Sequence, residues 1–192
     1  SPYAHNLFEY FLRQPFGQEL GRKFKISVSG SENDNAFSFM HDVGLIAKIR
    51  DGVKGFKVMV GGGLGAQPRL AECAYEFLPT NEIVPFIESC VRLFDRYGER
   101  ANRAKARLKY LIAQWGIEGL KEKIEEIKLS LTNQTYELTE DVPSAYSSPN
   151  ENYQIAPQVT IEDQDAYNLW YKTNVKDQKQ EGYKSVYIRL TS

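Results

Sequence analysis

The sequence predicts an α+β fold, a mixed sheet with packed helices followed by the start of a second, smaller unit, and three observations predict it. Alternating segments crowd the first sixty residues, two of them meeting at Asp51-Gly52. From Thr80 the apolar spacing changes to a helical period of about 3.6. A stretch over 133–160 rich in Pro, Ser, Asn and Thr then separates a last helix-and-strand pattern from everything before it. Strands, then helices, then a linker and a new strand is the order of one mixed domain followed by another. The expected divisions are 1–132, a linker at 133–160, and 161–192.

Each element has a local reason. Ser1 is an N-cap with Pro2 at the first helical position, and Leu7, Phe8, Tyr10 and Phe11 follow at helical spacing. Residues 22–29 alternate and read as a strand. Residues 44–50 and 54–60 are two more, joined by Asp51-Gly52, a hairpin signal. Gly61-Gly62-Gly63-Leu64-Gly65 breaks the regularity. Ile83, Ile87, Val91 and Phe94 make one helical stripe, Leu108, Leu111, Ile112 and Trp115 a second, and Leu120, Ile124, Ile127 and Leu131 a third. Three consecutive helices are expected, punctuated by Gly98 and Gly116. A short helix near 162–172 and a strand at 183–190 close the chain. That strand has no evident partner and the chain opens without Met, so the sequence reads as an internal piece of a longer one.

Composition excludes several classes. Lys and Arg number 24 against 25 Asp and Glu, so overall charge argues against a general nucleic-acid binder. No apolar run approaches the length of a membrane span, and no secretory signal pattern is present. Cys73 and Cys90 are the two cysteines. They make neither a disulfide framework nor a metal site alone, and they suit a reducing cytoplasm.

Three segments carry chemistry. In Arg22-Lys23-Phe24-Lys25-Ile26-Ser27-Val28-Ser29, a strand would put Phe24, Ile26 and Val28 on one face. Lys23, Lys25, Ser27 and Ser29 would share the other, where two lysines with no acid nearby invite an anion. A solvated face or a lysine-blunted edge strand is the plainer reading. Arg100, Arg103, Lys105, Arg107 and Lys109 are five cations in ten residues without an acid. On a helix, Arg100, Arg103 and Arg107 would share a face suited to carboxylates or phosphates, or simply to water. The run Gly61, Gly62, Gly63 lets backbone N–H groups approach a flat or anionic ligand, or forms a wide hairpin loop. It lacks the Lys-Ser/Thr ending of a phosphate-binding loop.

The order of four motifs is more specific than any one of them. Arg22-Lys23-Phe24-Lys25, Asp42-Val43-Gly44-Leu45-Ile46, Val60-Gly61-Gly62-Gly63-Leu64-Gly65 and Arg100-Ala101-Asn102-Arg103-Ala104-Lys105-Ala106-Arg107 together resemble the haemoprotein of sirohaem-dependent assimilatory sulfite and nitrite reductases. The likeness covers about residues 5–130 and resumes from Trp170 through Gly182. The resemblance implies two pseudo-repeats, each a ferredoxin-like half-domain with a sirohaem half, this chain ending in the start of the second half-domain. It implies that Lys23 and Lys25 face the bound oxyanion and act in catalysis. Arg22 and one of Arg100 and Arg103 would meet the cofactor's carboxylates, and the Gly61–Gly63 backbone would pack on the macrocycle.

The implied activity is six-electron reduction of sulfite to sulfide, or nitrite to ammonia, with electrons from ferredoxin or a flavoprotein through a 4Fe-4S cluster. Lysine at position 25, where nitrite-reducing members tend to have Asn, favours sulfite. The cluster-bearing repeat has Ser-Gly-Cys-x-x-x-Cys after the equivalent strand. Here Ser31 and Asn35 take the cysteine positions, so the chain holds no metal and is expected to be inactive alone. A different class of function is a non-catalytic module whose basic helix binds an acidic partner or RNA. It is disfavoured because Tyr110 is the one aromatic residue adjoining the basic run.

Overall fold

The computed structural model describes residues 1–12, 14–65, 67–140, 160–178 and 182–188, which fall into two units, Ser1–Ala145 and Tyr146–Ser192. Pro143, Pro149 and Pro157 of the predicted linker, Lys179, Gln180 and Glu181 of the resumed likeness, and Arg189 and Leu190 of the predicted terminal strand lie outside the described residues.

The first unit is built on a four-stranded sheet in the order β1 (Ile26–Ser29), β2 (Val43–Arg50), β3 (Val53–Val60), β4 (Glu72–Pro79). β1 lies parallel to β2 and the remaining pairs are antiparallel, so the sheet is mixed. Asp51 and Gly52 both have positive φ, 52° and 79°, as a two-residue type I′ hairpin requires. On one sheet face Val43, Leu45, Phe56, Val58 and Val60 are buried. On the other, Lys48 and Lys57 pair with Glu76 across three strands. This division into an apolar and a polar face is what antiparallel sheets allow.

Three helices complete the core. α1 (Pro2–Leu12) buries Leu7 and sets Tyr3 edge-on to Phe56 at 5.3 Å. α2 (Ile83–Tyr97) buries the expected stripe of Ile83, Ile87, Val91 and Phe94. α3 (Leu108–Leu129) contributes Leu108, Leu111, Ile112, Leu120 and Ile124 to the same core. Gly116 interrupts α3 with φ 72° and ψ 171°, so the second and third predicted stripes are two helical stretches either side of a break.

Three expectations are corrected. The strand predicted over 22–29 begins only at Ile26, and Ser27 and Ser29 are buried instead of sharing an open face with Lys23 and Lys25. The region 100–107 is not an α-helix but a loop with a single 3-10 turn at Arg103–Lys105, so Arg100, Arg103 and Arg107 share no helical face. β4 was not anticipated. The segment read as a linker from 133 is packed as far as Glu140: Tyr136 N–H donates to Asn81 O at 2.8 Å, and Tyr3 OH donates to Glu140 at 2.7 Å.

In the second unit α4 (Gln164–Asn174) is capped by Asp163, whose carboxylate accepts from Ala166 N–H at 2.9 Å. β5 (Val175–Asp177) and β6 (Lys184–Val186) then pair antiparallel. The terminal strand therefore does have a partner, formed by the residues directly after α4.

Candidate anion-binding site

Asp42 stands immediately before β2. Its carboxylate is about 1% exposed and accepts three hydrogen bonds. Arg107 donates two of them, Nε to Oδ1 at 3.1 Å and Nη2 to Oδ2 at 2.9 Å, and Lys25 N–H donates the third to Oδ2 at 3.0 Å. The paired arrangement is the fork-on-carboxylate geometry that makes arginine selective. Asp42 also accepts through its main-chain O from Gly61 N–H at 2.8 Å, while Val43 N–H donates to Lys25 O at 3.1 Å. The segments carrying Arg22–Lys25, the glycine run and Arg107 are therefore tied to one residue.

Around this anchor lies a cavity of about 370 Å³ lined by Arg22, Leu64, Gly65, Gln67, Ala104, Lys105, Arg107, Lys109 and Tyr110. Four lining side chains are cations and none is an acid. Lys109 is 5% exposed, donates to Gln67 O, and has its ammonium 5.3 Å from the Tyr110 ring. Burial lowers its pKa, the neighbouring Arg107 and Arg22 lower it further, and Asp42 acts in the opposite direction. Arg22 is fixed by donating from Nη1 to Arg103 O at 2.8 Å. Such a cluster is costly without counter-charge and suits a multiply charged anion.

The predicted site residues are not all together. Arg22 lines the cavity; Lys23 and Lys25 are exposed and flank it in sequence but do not line it. The side chain of Arg103 is exposed, and its contribution is the carbonyl that Arg22 grips. Arg100 is turned elsewhere, donating to Glu19 O at 2.8 Å and pairing with Asp95. Gly61, Gly62 and Gly63 are buried and do not line the cavity, and their N–H groups already donate to Asp42 O, His41 O and Arg69 O. The expectation that these donors await an anion is therefore corrected. Gly61 is needed for space: with φ 82°, an added Cβ would lie 2.1 Å from Ile112 Cδ1.

Lys105 and Lys109 stand in the basic run without an individual role in the sequence, and Arg107 enters there only as one of three arginines on a supposed helical face. The signal was present in their lack of a nearby acid. What was missing was the buried partner of Arg107, 65 residues away.

Residues 1–131 match the family described as nitrite and sulphite reductase 4Fe-4S domain. The chain belongs to that family. It is 35% identical over 127 residues to "Sulfite reductase [ferredoxin] 1" of Mycolicibacterium paratuberculosis, covering 66% of this chain and 22% of the relative. It is 37% identical over 117 residues to "Sulfite reductase [NADPH] subunit beta" of Saccharomyces cerevisiae, covering 56% of this chain and 8% of that one. Among solved structures, the Mycobacterium tuberculosis NirA protein superposes with a TM-score of 0.60 at 31% identity, covering 67% of this chain and 23% of NirA. The chain thus spans less than a quarter of the length of these relatives.

The family description names a 4Fe-4S cluster, and the residues of this chain do not fit one. Such a cluster takes four thiolates, and the chain has two cysteines. Cys90 is wholly buried in the core, which pushes its thiol pKa up, and Cys73 is pushed up by burial and by donating to Glu76. Both are held as neutral thiols. Cys90 is a buried core residue, whereas Cys73 is only partly buried. Ser31 and Asn35 contact one another, Asn35 Nδ2 to Ser31 Oγ at 3.5 Å. Among the described residues no group of histidine, cysteine and acidic side chains converges as a metal site, and no helix is long and apolar enough to cross a membrane.

Proposed function

We propose that this chain supplies the cofactor-facing half of a sirohaem-dependent sulfite or nitrite reductase that does not carry the cluster. The observation that supports it is the cavity walled by Arg22, Lys105, Arg107 and Lys109 with no acid in its lining. Sirohaem is ringed with carboxylates, and fixed guanidinium and ammonium groups are their natural partners. When bound, that group supplies the iron at which sulfite, or nitrite, takes up six electrons.

The chain's own residues have separable tasks. Arg22, Lys105, Arg107 and Lys109 hold carboxylates, with Arg107 braced from behind by Asp42. Lys23 and Lys25, exposed beside Arg22, bind the oxyanion and pass it protons as its charge falls. The 4Fe-4S cluster and the rest of the anion pocket come from other parts of the enzyme, so this chain is inactive alone. The second unit is the start of a ferredoxin-like half-domain. The electron donor is a ferredoxin or a flavoprotein, the two classes consistent with relatives named for ferredoxin and for NADPH.

The full-length polypeptide, purified from cells that make sirohaem, should show its visible absorption bands. Arg22→Glu with Lys105→Glu should abolish the bands while the circular dichroism stays native. Undiminished colour would end this reading. Sulfite is the preferred substrate, since a second ammonium at Lys25 favours the more highly charged anion. Lys25→Asn should therefore lower the specificity constant for sulfite about tenfold more than that for nitrite, given that a charge-assisted hydrogen bond contributes about 1.5–3 kcal/mol. Equal losses would remove Lys25 from substrate choice.

A further inference from the structure

We propose that Asp42 is the positioning residue of the anion site, a single buried carboxylate that sets Arg107 and the Lys25 backbone in place. The inference rests on the carboxylate-binding reading of the cavity. Asp42 is outside the cavity lining and would touch no ligand, yet its two oxygens accept from Arg107 twice and from Lys25 N–H once. Its main-chain O accepts from Gly61 N–H. The three segments that converge here are otherwise separate in sequence.

Charge makes the same case. Arg22, Lys105, Arg107 and Lys109 line one cavity, and Arg69 is engaged nearby with Glu72. Arg107 and Arg22 repel the Lys109 ammonium, Asp42 attracts it, Tyr110 lies beside it and the Gln67 carbonyl accepts from it. Asp42 is the one acid in that set. It offsets part of the mutual repulsion, which would otherwise drive the cations outward or Lys109 to lose its proton. It also takes both bonds from one edge of Arg107, leaving the rest of the guanidinium to face the cavity.

Citrate, a tricarboxylate, is a sufficient probe. Titrated calorimetrically into the 192-residue chain, it should bind, and Asp42→Asn should weaken binding about thirtyfold or more, the usual scale for removing one partner of a buried charged pair. The pH profile separates positioning from bulk structure. Citrate needs Lys109 protonated, so binding falls as pH rises through the lysine's pKa. Without Asp42 that pKa drops, and the fall must move to lower pH. Asp42→Glu, which keeps the charge but lengthens the side chain, should weaken binding while leaving the pH profile near that of the wild type.

No binding of citrate by the wild-type chain would count against the carboxylate-binding reading itself. Wild-type binding with Asp42→Asn unchanged in affinity and pH profile would overturn the positioning role alone. If Asp42→Asn does not fold, Asp42→Glu decides: affinity equal to wild type would reduce Asp42 to a folding residue.

Discussion

Arg100 and Arg107 belong to one basic run, carry the same side chain, and each pairs with an aspartate, yet they occupy opposite situations. Arg107 is 11% exposed and its partner Asp42 is 1% exposed, with two parallel bonds between them. Arg100 is about half exposed, as is Asp95, and much of its fork is spent on main-chain oxygens. The difference comes from what lies beneath. Arg107 is the N-cap of α3, directly before the buried Leu108, so the core fixes it. Arg100 sits in the loop after α2, at the surface against the 19–21 segment. A cationic run marks a region of sequence, and the core beneath it selects which cation can serve a site.

That contrast can be broken by deletion. Arg107→Ala leaves Asp42 buried without its cation and should cost about 3–5 kcal/mol, read as a fall in Tm in calorimetry. A loss below about 1 kcal/mol would put the two arginines on one footing. Gly61→Ala tests the bed on which the Arg107 end rests, since the added methyl meets Ile112. It should cost about 1–3 kcal/mol, the usual range for overpacking, with denaturant midpoint as the measure. Arg100→Ala should change stability by only about 0–1 kcal/mol, as exposed pairs do. A larger loss would mean that its main-chain bonds to Glu19 and Asp95 hold the loop.

The smallest expected effect is on pH dependence. Lys109 has a lowered pKa in the folded chain, so the unfolded state binds more protons between that value and the ordinary lysine value of about 10.4. Its unfavourable contribution is present below the folded pKa and is relieved as pH rises through it. The Tm difference between wild type and Lys109→Gln should therefore move in favour of wild type between neutral pH and pH about 10. Arg100→Ala should show no such drift, and a drift of equal size there would deny Lys109 its special environment.

Much of the fold was legible because its signals are local. Asp51-Gly52 with alternation on either side gave the β2–β3 hairpin, and the Ile83, Ile87, Val91, Phe94 stripe gave α2. β4 escaped because its register shifts against β3 between Phe56 and Val58 and again before Met59, which spoils the period-two pattern. Ala74 and Leu78 are buried, yet Glu76 midway between them is exposed. β1 is shorter than its alternation suggests, and Lys25 N–H is satisfied by the Asp42 side chain, a bond that no local pattern announces. The candidate site was half legible for the same reason. Arg22 and the basic run could be seen, whereas the choice of Arg107 and Lys109 over Arg100 depends on Asp42 and the Gln67 carbonyl, both distant in sequence.

The proposed carboxylate site lies at the Arg107 end of the run and not at the Arg100 end. The most direct measurement is a citrate titration of isotope-labelled chain, followed by backbone amide and arginine side-chain NMR signals. Saturable shifts should appear at Arg22, Leu64, Gly65, Gln67 and the stretch from Ala104 to Tyr110, with Glu99, Arg100 and Ala101 unmoved. Equal shifts at both ends of the run, or shifts confined to exposed lysines elsewhere, would contradict it.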